Sequence, residues 1–476
     1  MGARLFLTLA LTLVLSACGL SSYEVARPEP RPLGREFATL SLPPFMAGGG
    51  AGSARDVDQA DPTDRVKQSS VASGERSAQL TLDRALALSL LNSPELAVFS
   101  FDTRAAEART LQAGYRPNPE ISTQTEDFGG TRGRGGLQQS QTTLALSQIV
   151  ELGDKRTNRV RLARLDENLA AWDYETKRLD VFVEVTKAFV AVLAAQRKQE
   201  LADAMLRIEQ ELHVTVMDRI RAGRVSPLEQ RRADVTLANG RIASDKANRE
   251  LREARDKLTA LWGDGEAVFI RAEGDLNDVT PPPPFEKLAA LITQNPEVAR
   301  WMTEIQQREA RVTVERSKNV PDITLQGGVR RHGDGGTAFV AGIGIPLPLF
   351  GLNRGNLGEA QAQLGKSHAQ QRAAEVRVAA ALRQSYMQLA GAYDEIESLR
   401  RDVLPAAEAA FSGINIGYRD GKFGLLEVLE ARRAQSDAQA RLVDALSTYQ
   451  NAVADTERLT GQSLHETTPV APGEKR

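Results

Sequence analysis

Residues 154–222 read DKRTNRVRLARLDENLAAWDYETKRLDVFVEVTKAFVAVLAAQRKQELADAMLRIEQELHVTVMDRIRA, without a glycine or a proline. Leu162, Leu165, Leu169 and Trp172 mark steps of three and four, the period of one helix face. At 1.5 Å per residue such a helix is roughly 100 Å long. That is too long for the core of a globular domain, so it must pack side-on as a coiled coil. The break Ala222-Gly223-Arg224-Val225-Ser226-Pro227 turns the chain into a return helix ending near Trp262. Ahead of the long helix lie two strand-like runs, Pro119 to Asp127 and Gln141 to Ile149, flanking Gly129-Gly130 and Gly133 to Gly136. Leu144 and Leu146 alternate with small or polar residues, as a two-faced strand requires.

The same order recurs later in the chain. Asn92-Ser93-Pro94-Glu95-Leu96 matches Gln294-Asn295-Pro296-Glu297-Val298, an offset of 202 carrying Pro94 onto Pro296. That offset also carries Glu107-Ala108-Arg109 onto Glu309-Ala310-Arg311 and Pro119-Glu120-Ile121 onto Pro321-Asp322-Ile323. Past the glycine-rich loop it becomes 198, pairing Gly153 with Gly351, Gly223 with Gly421, Glu229 with Glu427 and Gly263 with Gly461. Each unit begins with a helical segment, Leu82 to Tyr115 and then Phe285 to Ser317. The second unit continues with strand-like runs Pro321 to Arg330 and Thr337 to Pro346 around Gly333 to Gly336. Its hairpin turns at Asp420-Gly421-Lys422-Phe423-Gly424 and returns as a helix from Leu425 to Thr460. Gly391, Pro405 and Gly413 interrupt its outgoing helix, where bends are expected.

The first residues read as an export signal: Arg4, an apolar run Leu5 to Leu15, then Leu15-Ser16-Ala17-Cys18. The run is too short to span a bilayer. Cys18 is the one cysteine in the chain, so it forms no intramolecular disulfide, and its setting resembles a bacterial lipobox, the thiol being the lipidation site. The expected organisation is a signal peptide at 1–17, a lipid-anchored flexible linker at 18–79 and a first repeat at 80–264. A Pro-rich connector at 265–284, a second repeat at 285–462 and a C-terminal tail at 463–476 complete it.

Composition excludes several functions. A net charge of −2 leaves no basic stripe for phosphates, which argues against nucleic acid. His213, His332, His368 and His465 are not at metal-ligand spacing, and His332 with Asp334 reads as a solvated glycine-rich loop. No Gly-Lys-Ser/Thr follows the glycine runs, and Ser, His and Asp are too dispersed for a triad. The reading is of no enzyme: no catalytic residue, no cofactor and no metal site.

Four strands cannot close a barrel with a usable interior, for which about eight are needed. An open edge is forbidden in lipid, so the chain must pool strands with copies of itself. Two chains would give eight and three would give twelve; physics alone does not choose.

The duplicated pattern over residues 81–462 resembles the TolC outer-membrane efflux family. Ser147-Gln148 with Glu151-Leu152-Gly153-Asp154-Lys155-Arg156, Pro348-Leu349-Phe350-Gly351-Leu352-Asn353-Arg354-Gly355-Asn356 and Gly421-Lys422-Phe423-Gly424-Leu425-Leu426-Glu427-Val428-Leu429-Glu430 look like its heavy-metal, CzcC-like subfamily. Asp154 stands where that subfamily more often has glycine. The resemblance implies an α+β membrane protein: a homotrimer whose twelve-stranded outer-membrane β-barrel continues as a long periplasmic α-helical barrel. It implies a passive duct for heavy-metal cations, docked on a periplasmic adaptor and an inner-membrane proton-driven pump. Multidrug or protein export stays open as an alternative cargo. A lipid-anchored coiled-coil scaffold is the rival class, which would not need duplicated strand pairs.

Two sets of residues follow from the resemblance. Gly223, Val225, Leu228, Gly421, Phe423 and Leu426 would form the tips that meet the adaptor. Glu427 and Glu430, three apart and able to share a helix face, would line the periplasmic gate, with Glu229 the first-unit counterpart of Glu427 and Tyr418 where TolC has a tyrosine that helps hold the closed state. Phe423 occupies a place where TolC has arginine.

Overall fold

A computed structural model describes residues 79–129, 139–223, 225–264, 269–350 and 352–464; Cys18, the export signal, the linker, Arg224 and His465 lie outside the described residues. The chain opens with β1 (Gln79–Thr81), which pairs in parallel with β4 (Arg271–Glu273). β4 falls in the stretch read as a connector, where three residues carry no alternation to announce a strand.

The expected helix from Leu82 to Tyr115 is two helices, α1 (Leu82–Asn92) and α2 (Pro94–Gly114). The residue before a proline is pushed out of helical geometry. Ser93 obeys, at ψ 118, and its hydroxyl accepts from the Leu96 amide at 3.4 Å as an N-cap. The later segment divides at the matching place into α5 (Phe285–Ala289), a 3₁₀ turn (Ile292–Gln294) and α6 (Pro296–Ser317). There Asn295 Oδ1 caps Glu297 N at 2.8 Å, and its amide nitrogen donates to the carbonyls of Arg458 and Leu459.

β2 (Glu120–Glu126), β3 (Gln141–Val150), β5 (Ile323–His332) and β6 (Thr337–Gly344) form one antiparallel sheet in the order β2-β3-β5-β6. The limits differ from expectation by one to a few residues. Pro119 and Pro321, which donate no hydrogen bond, stand just outside. Pairing assigns the faces. One carries Ile121, Leu144, Leu146, Leu325, Val329, Phe339 and Ile343, all exposed. The other carries Glu120, Gln124, Glu126, Gln141, Thr143, Gln326 and Arg330. There Arg330 donates to Thr143 Oγ1 at 3.0 Å and Gln141 Oε1 at 3.2 Å, with Glu126 at 3.8 Å. Among the described residues, β2 and β6 each pair on one side only.

The long helix is α3 (Lys155–Arg221, 67 residues), and its return helix is α4 (Pro227–Ala260). The second hairpin comprises α7 (Arg354–Ser398), a π turn (Leu399–Val403), α8 (Leu404–Arg419) and α9 (Leu425–Thr460). Contrary to expectation, Gly391 and Gly413 lie in unbroken helix; only Pro405 coincides with a change of winding. A mid-helix glycine costs about 1 kcal/mol against alanine but keeps its N–H, whereas proline removes a hydrogen bond and crowds the preceding turn. The main core lies midway along the hairpins, where Val185, Phe189, Leu258, Leu382, Leu389, Ile396 and Tyr449 meet β1 and β4. No described helix is long and apolar enough to cross a membrane.

The polar face of the sheet is the crowded one. A Cβ on Gly328 would run into the Leu144 carbonyl and lie 2.9 Å from Ala145 Cα, whereas one on Gly327 would meet nothing within 4 Å. Gly328→Ala should therefore cost about 1–3 kcal/mol by overpacking against backbone. Gly327→Ala should be nearly silent. Thermal unfolding of the two detergent-purified variants checks this, and equal midpoints would contradict the crowding.

Candidate functional site: the far ends of the helical hairpins

Both turns are built by glycine at positive φ. Gly421 has φ +78; its amide donates to the Tyr418 carbonyl at 3.0 Å, and Lys422 N reaches back to Gly417 O at 2.7 Å. This doubly bonded Schellman ending requires a left-handed residue, which glycine alone adopts at little cost. Gly223 has φ +68 and donates to Ile220 O at 2.9 Å. The return helix α4 then starts at Pro227, whose missing amide proton is no loss at a first helical position. Ser226 Oγ caps it by accepting from Leu228 N at 3.2 Å. Gly223, Leu228, Gly421, Phe423 and Leu426 are exposed, and Val225 is half-buried.

Phe423 does not extend from the tip. Its ring folds back onto Gly417, where any Cβ would collide with it. Glu427 and Glu430 are exposed on the first turns of α9. Tyr418 is elsewhere: it is 2 % exposed and packs with Val216, Ala233, Leu425 and Val428, so it joins the two hairpins. The Arg219 guanidinium stacks over its ring at 4.4 Å and donates to its carbonyl at 3.2 Å. Glu229 is half-buried on α4. Among the described residues, no hydrogen bond or ion pair joins Glu229 or Tyr418 to Glu427 or Glu430.

Behind this layer the four helices leave a groove of about 790 Å³, lined by Met205, Glu209, Leu212, Phe411, Tyr418 and Arg432 among others. Arg432 is 9 % exposed; it lies over the Phe411 ring at 5.0 Å and donates to Met205 Sδ at 2.8 Å. Burial lowers the Arg432 pKa, with the Glu209 charge opposing. Burial raises the Glu209 pKa, with Arg432 opposing, and the Glu209 carboxylate lies so close to Gly240 that a Cβ there would collide with it. Side-chain atoms of Glu209, Glu229, Tyr418, Arg432 and Gln435 are buried without a hydrogen-bond partner. Each such orphan costs on the order of 1–3 kcal/mol, so this end of the bundle is incompletely satisfied.

Sequence reading missed Glu209 and Arg432, although Arg432 interrupts the apolar spacing of Leu425, Val428 and Leu429 where a hydrophobic residue is due. Of the histidines, His213 pairs with Asp234 at 2.9 Å across α3 and α4, and His368 is exposed on α7.

The sequence matches the family described as "Outer membrane efflux protein" over residues 85–264 and 288–462. The cobalt-zinc-cadmium resistance protein CzcC of Cupriavidus metallidurans is 33% identical over 390 residues, covering 82% of this chain and 91% of that one. The nickel-cobalt-cadmium resistance protein NccC of Alcaligenes xylosoxydans xylosoxydans is 26% identical, covering 74% and 79%. Among solved structures, CusC superposes with a TM-score of 0.69 at 18% identity, covering 80% of this chain and 92% of that one. At that identity the likeness speaks for the fold alone.

The Glu209 environment generates a signed expectation. A carboxylate whose folded pKa is raised contributes its stability below its unfolded pKa and loses it as pH rises through the folded value. Glu209→Gln, which mimics the protonated form, should raise the thermal midpoint near neutral pH. The gain should shrink to nothing as pH falls through the ordinary carboxylate range. A pH-independent difference would show that desolvation of Glu209 is not its cause.

Proposed function

The chain belongs to the outer membrane efflux protein family, and on that premise we propose that it is the outer-membrane duct of a tripartite efflux system for heavy-metal cations. The observation that carries the reading is the four-stranded sheet, apolar on one face, polar on the other and open at both edges, running directly into two long hairpins. Unpaired strand edges cost several kcal/mol per group in hydrocarbon, so the edges close on further copies. Three copies give twelve strands, enough for a channel with a polar interior. The hairpins continue it through the periplasm toward an adaptor and a proton-driven pump. Leu228, Val235 and Ile242, seven apart and exposed on α4, supply an apolar seam of coiled-coil period for a neighbouring helix. Lipidation at Cys18 would add a second attachment to the outer membrane.

The cargo assignment rests on the relatives, whose names specify resistance to cobalt, zinc, nickel and cadmium. In a ring of three, Glu427 and Glu430 bring six carboxylates to the inner end of the duct, where they attract cations and repel one another. Tyr418, clamped by Arg219 and packed between the two hairpins, is placed to help hold that gate closed, and Glu229, the first-unit counterpart of Glu427, is half-buried on α4. The turns at Gly223 and Gly421 face the adaptor.

Deleting the gene should sensitise cells to cobalt, zinc or cadmium salts several-fold, and the full chain should restore tolerance. Sensitivity to organic toxicants in place of metals would transfer the duct to multidrug export. In planar bilayers, Glu427→Gln with Glu430→Gln should lower cation selectivity and weaken block by divalent ions; unchanged selectivity and block would leave these residues only a helix-capping role.

A further inference from the structure

The internal repeat, combined with the strand pairing inside one copy, specifies how two copies join. Resting on the homo-oligomer reading above, we infer that β6 of one copy pairs with β2 of the next by repeating the β3–β5 ladder, with Ile345 opposite Thr125 of the next copy. The inference starts from positions related by the repeat. Ser122 and Thr324 are counterparts at the offset of 202. Ser122 faces Ala145 within the first unit, and Thr324 faces Gly344 within the second. Ala145 and Gly344 are therefore counterparts, one residue away from the offset of 198 that holds from Gly153 onward. From this pair to Gly153 and Gly351 the second unit is one residue shorter, 7 steps against 8, and its crossing to α7 is a compact one. Leu349 N donates to Leu347 O at 2.8 Å, a tight turn centred on Pro348 between β6 and α7.

With the counterparts settled, the β3–β5 ladder transfers. Leu146 lies opposite Gly327, which becomes Ile345 opposite Thr125 of the next copy. Ala145 lies opposite Gly328, which becomes Gly344 opposite Glu126 of the next copy. The assignment keeps each strand's facing, which a one-residue slip would exchange. Ile345 extends the apolar row Phe339, Ala341 and Ile343; Thr125 continues the row of Ile121 and Thr123. The uncorrected offset would set Gly344, on the polar face, against Thr125, on the apolar one.

The same transfer accounts for apolar side chains left exposed on a single copy. Within the chain, α3 meets α6 through Trp172, which donates to Thr303 Oγ1 at 3.2 Å, and through Asp173, paired with Arg300 at 2.7 Å. The counterparts are Gln370 and Gln371 on α7, facing Phe101 and Val98 of the next copy. The large ring changes sides, from α3 within a copy to α2 between copies. Phe101 and Val98 are both exposed here. Gly153, in the turn entering α3, abuts Val320, where a Cβ would lie 2.9 Å away. The matching surface on the first unit is a groove of about 680 Å³ lined by Gln112, Tyr115, Arg116 and Asn118. It seats the turn entering α7 of the adjoining copy, where Phe350 is 95 % exposed.

The test uses the full chain in its native membrane, carrying Thr125→Cys with Ile345→Cys, or Thr125→Cys with Ile343→Cys, and single-cysteine controls. Directly opposed strand residues fall within disulfide reach, so a mild membrane-permeant oxidant should link the first pair roughly tenfold faster than the second. The expected result is a covalent ladder on denaturing gels from 125/345 alone. Faster linkage of 125/343 would overturn the register. No linkage from either pair, with native mass spectrometry still showing a homo-oligomer, would overturn the inference and leave the duct reading standing. No linkage together with a monomeric mass in mild detergent would defeat both.

Discussion

The structure depends on a sheet that cannot end. Four strands leave two rows of backbone amides and carbonyls unpaired, at β2 and at β6. Water would satisfy them, but the exposed apolar face, with Leu144, Leu146, Val329 and Phe339 side by side, suits the sheet to hydrocarbon instead. In that solvent each open group costs several kcal/mol, far more than one side-chain contact returns. On the reading proposed above, the sheet closes on further copies. The helices follow on from the sheet, because α3 and α7 leave the ends of β3 and β6.

Packing quality then falls along the helices. Midway, Val185, Leu258, Leu382, Leu389 and Ile396 are fully buried in one apolar cluster. Toward the turns the shared core shrinks to Val216, Ala233, Tyr418, Leu425 and Val428. Beside it Arg432 is buried and Glu209 half-buried, with Arg432 Nε and Glu209 Oε2 lacking a hydrogen-bond partner. Buried charges without full hydrogen bonding subtract from stability. A bundle well packed in the middle and poorly satisfied at its end suits a gate, since two arrangements of that end can lie close in free energy. The π turn at Leu399–Val403 divides α7 from α8 where the firm and loose regions meet.

Much of this was legible in residue order, for reasons that differ by element. The absence of glycine and proline from 154 to 222 announced α3 almost to its ends, and alternation located the four strands. The break at Ser93 was in plain view as a capping residue before proline, yet helical periodicity on both sides concealed it. Gly391 and Gly413 suggested bends that tertiary packing overrides. β1 and β4 are too short for periodicity to reveal and exist through each other, their paired residues 192 apart (Gln79 with Arg271). At the candidate site, the glycine turns were readable because positive φ is a local demand. The burial of Tyr418 under Arg219 was not, because it joins hairpins whose relative position no local pattern encodes.

A passive duct also limits what its lining can be. Conduction requires sites that admit an ion and release it, so tight chelation anywhere along the path would stop flow. The polar face of the sheet meets that condition by engaging its own charges: Arg330 is held by Thr143 and Gln141 and lies near Glu126. Carboxylates at Glu427 and Glu430, exposed and three residues apart, can raise the local cation concentration without enclosing an ion. Discrimination among metals on the proposed reading therefore belongs to the components upstream. On that same reading the chain supplies a sheet to be closed by its copies, a long helical wall and exposed carboxylates at the hairpin ends.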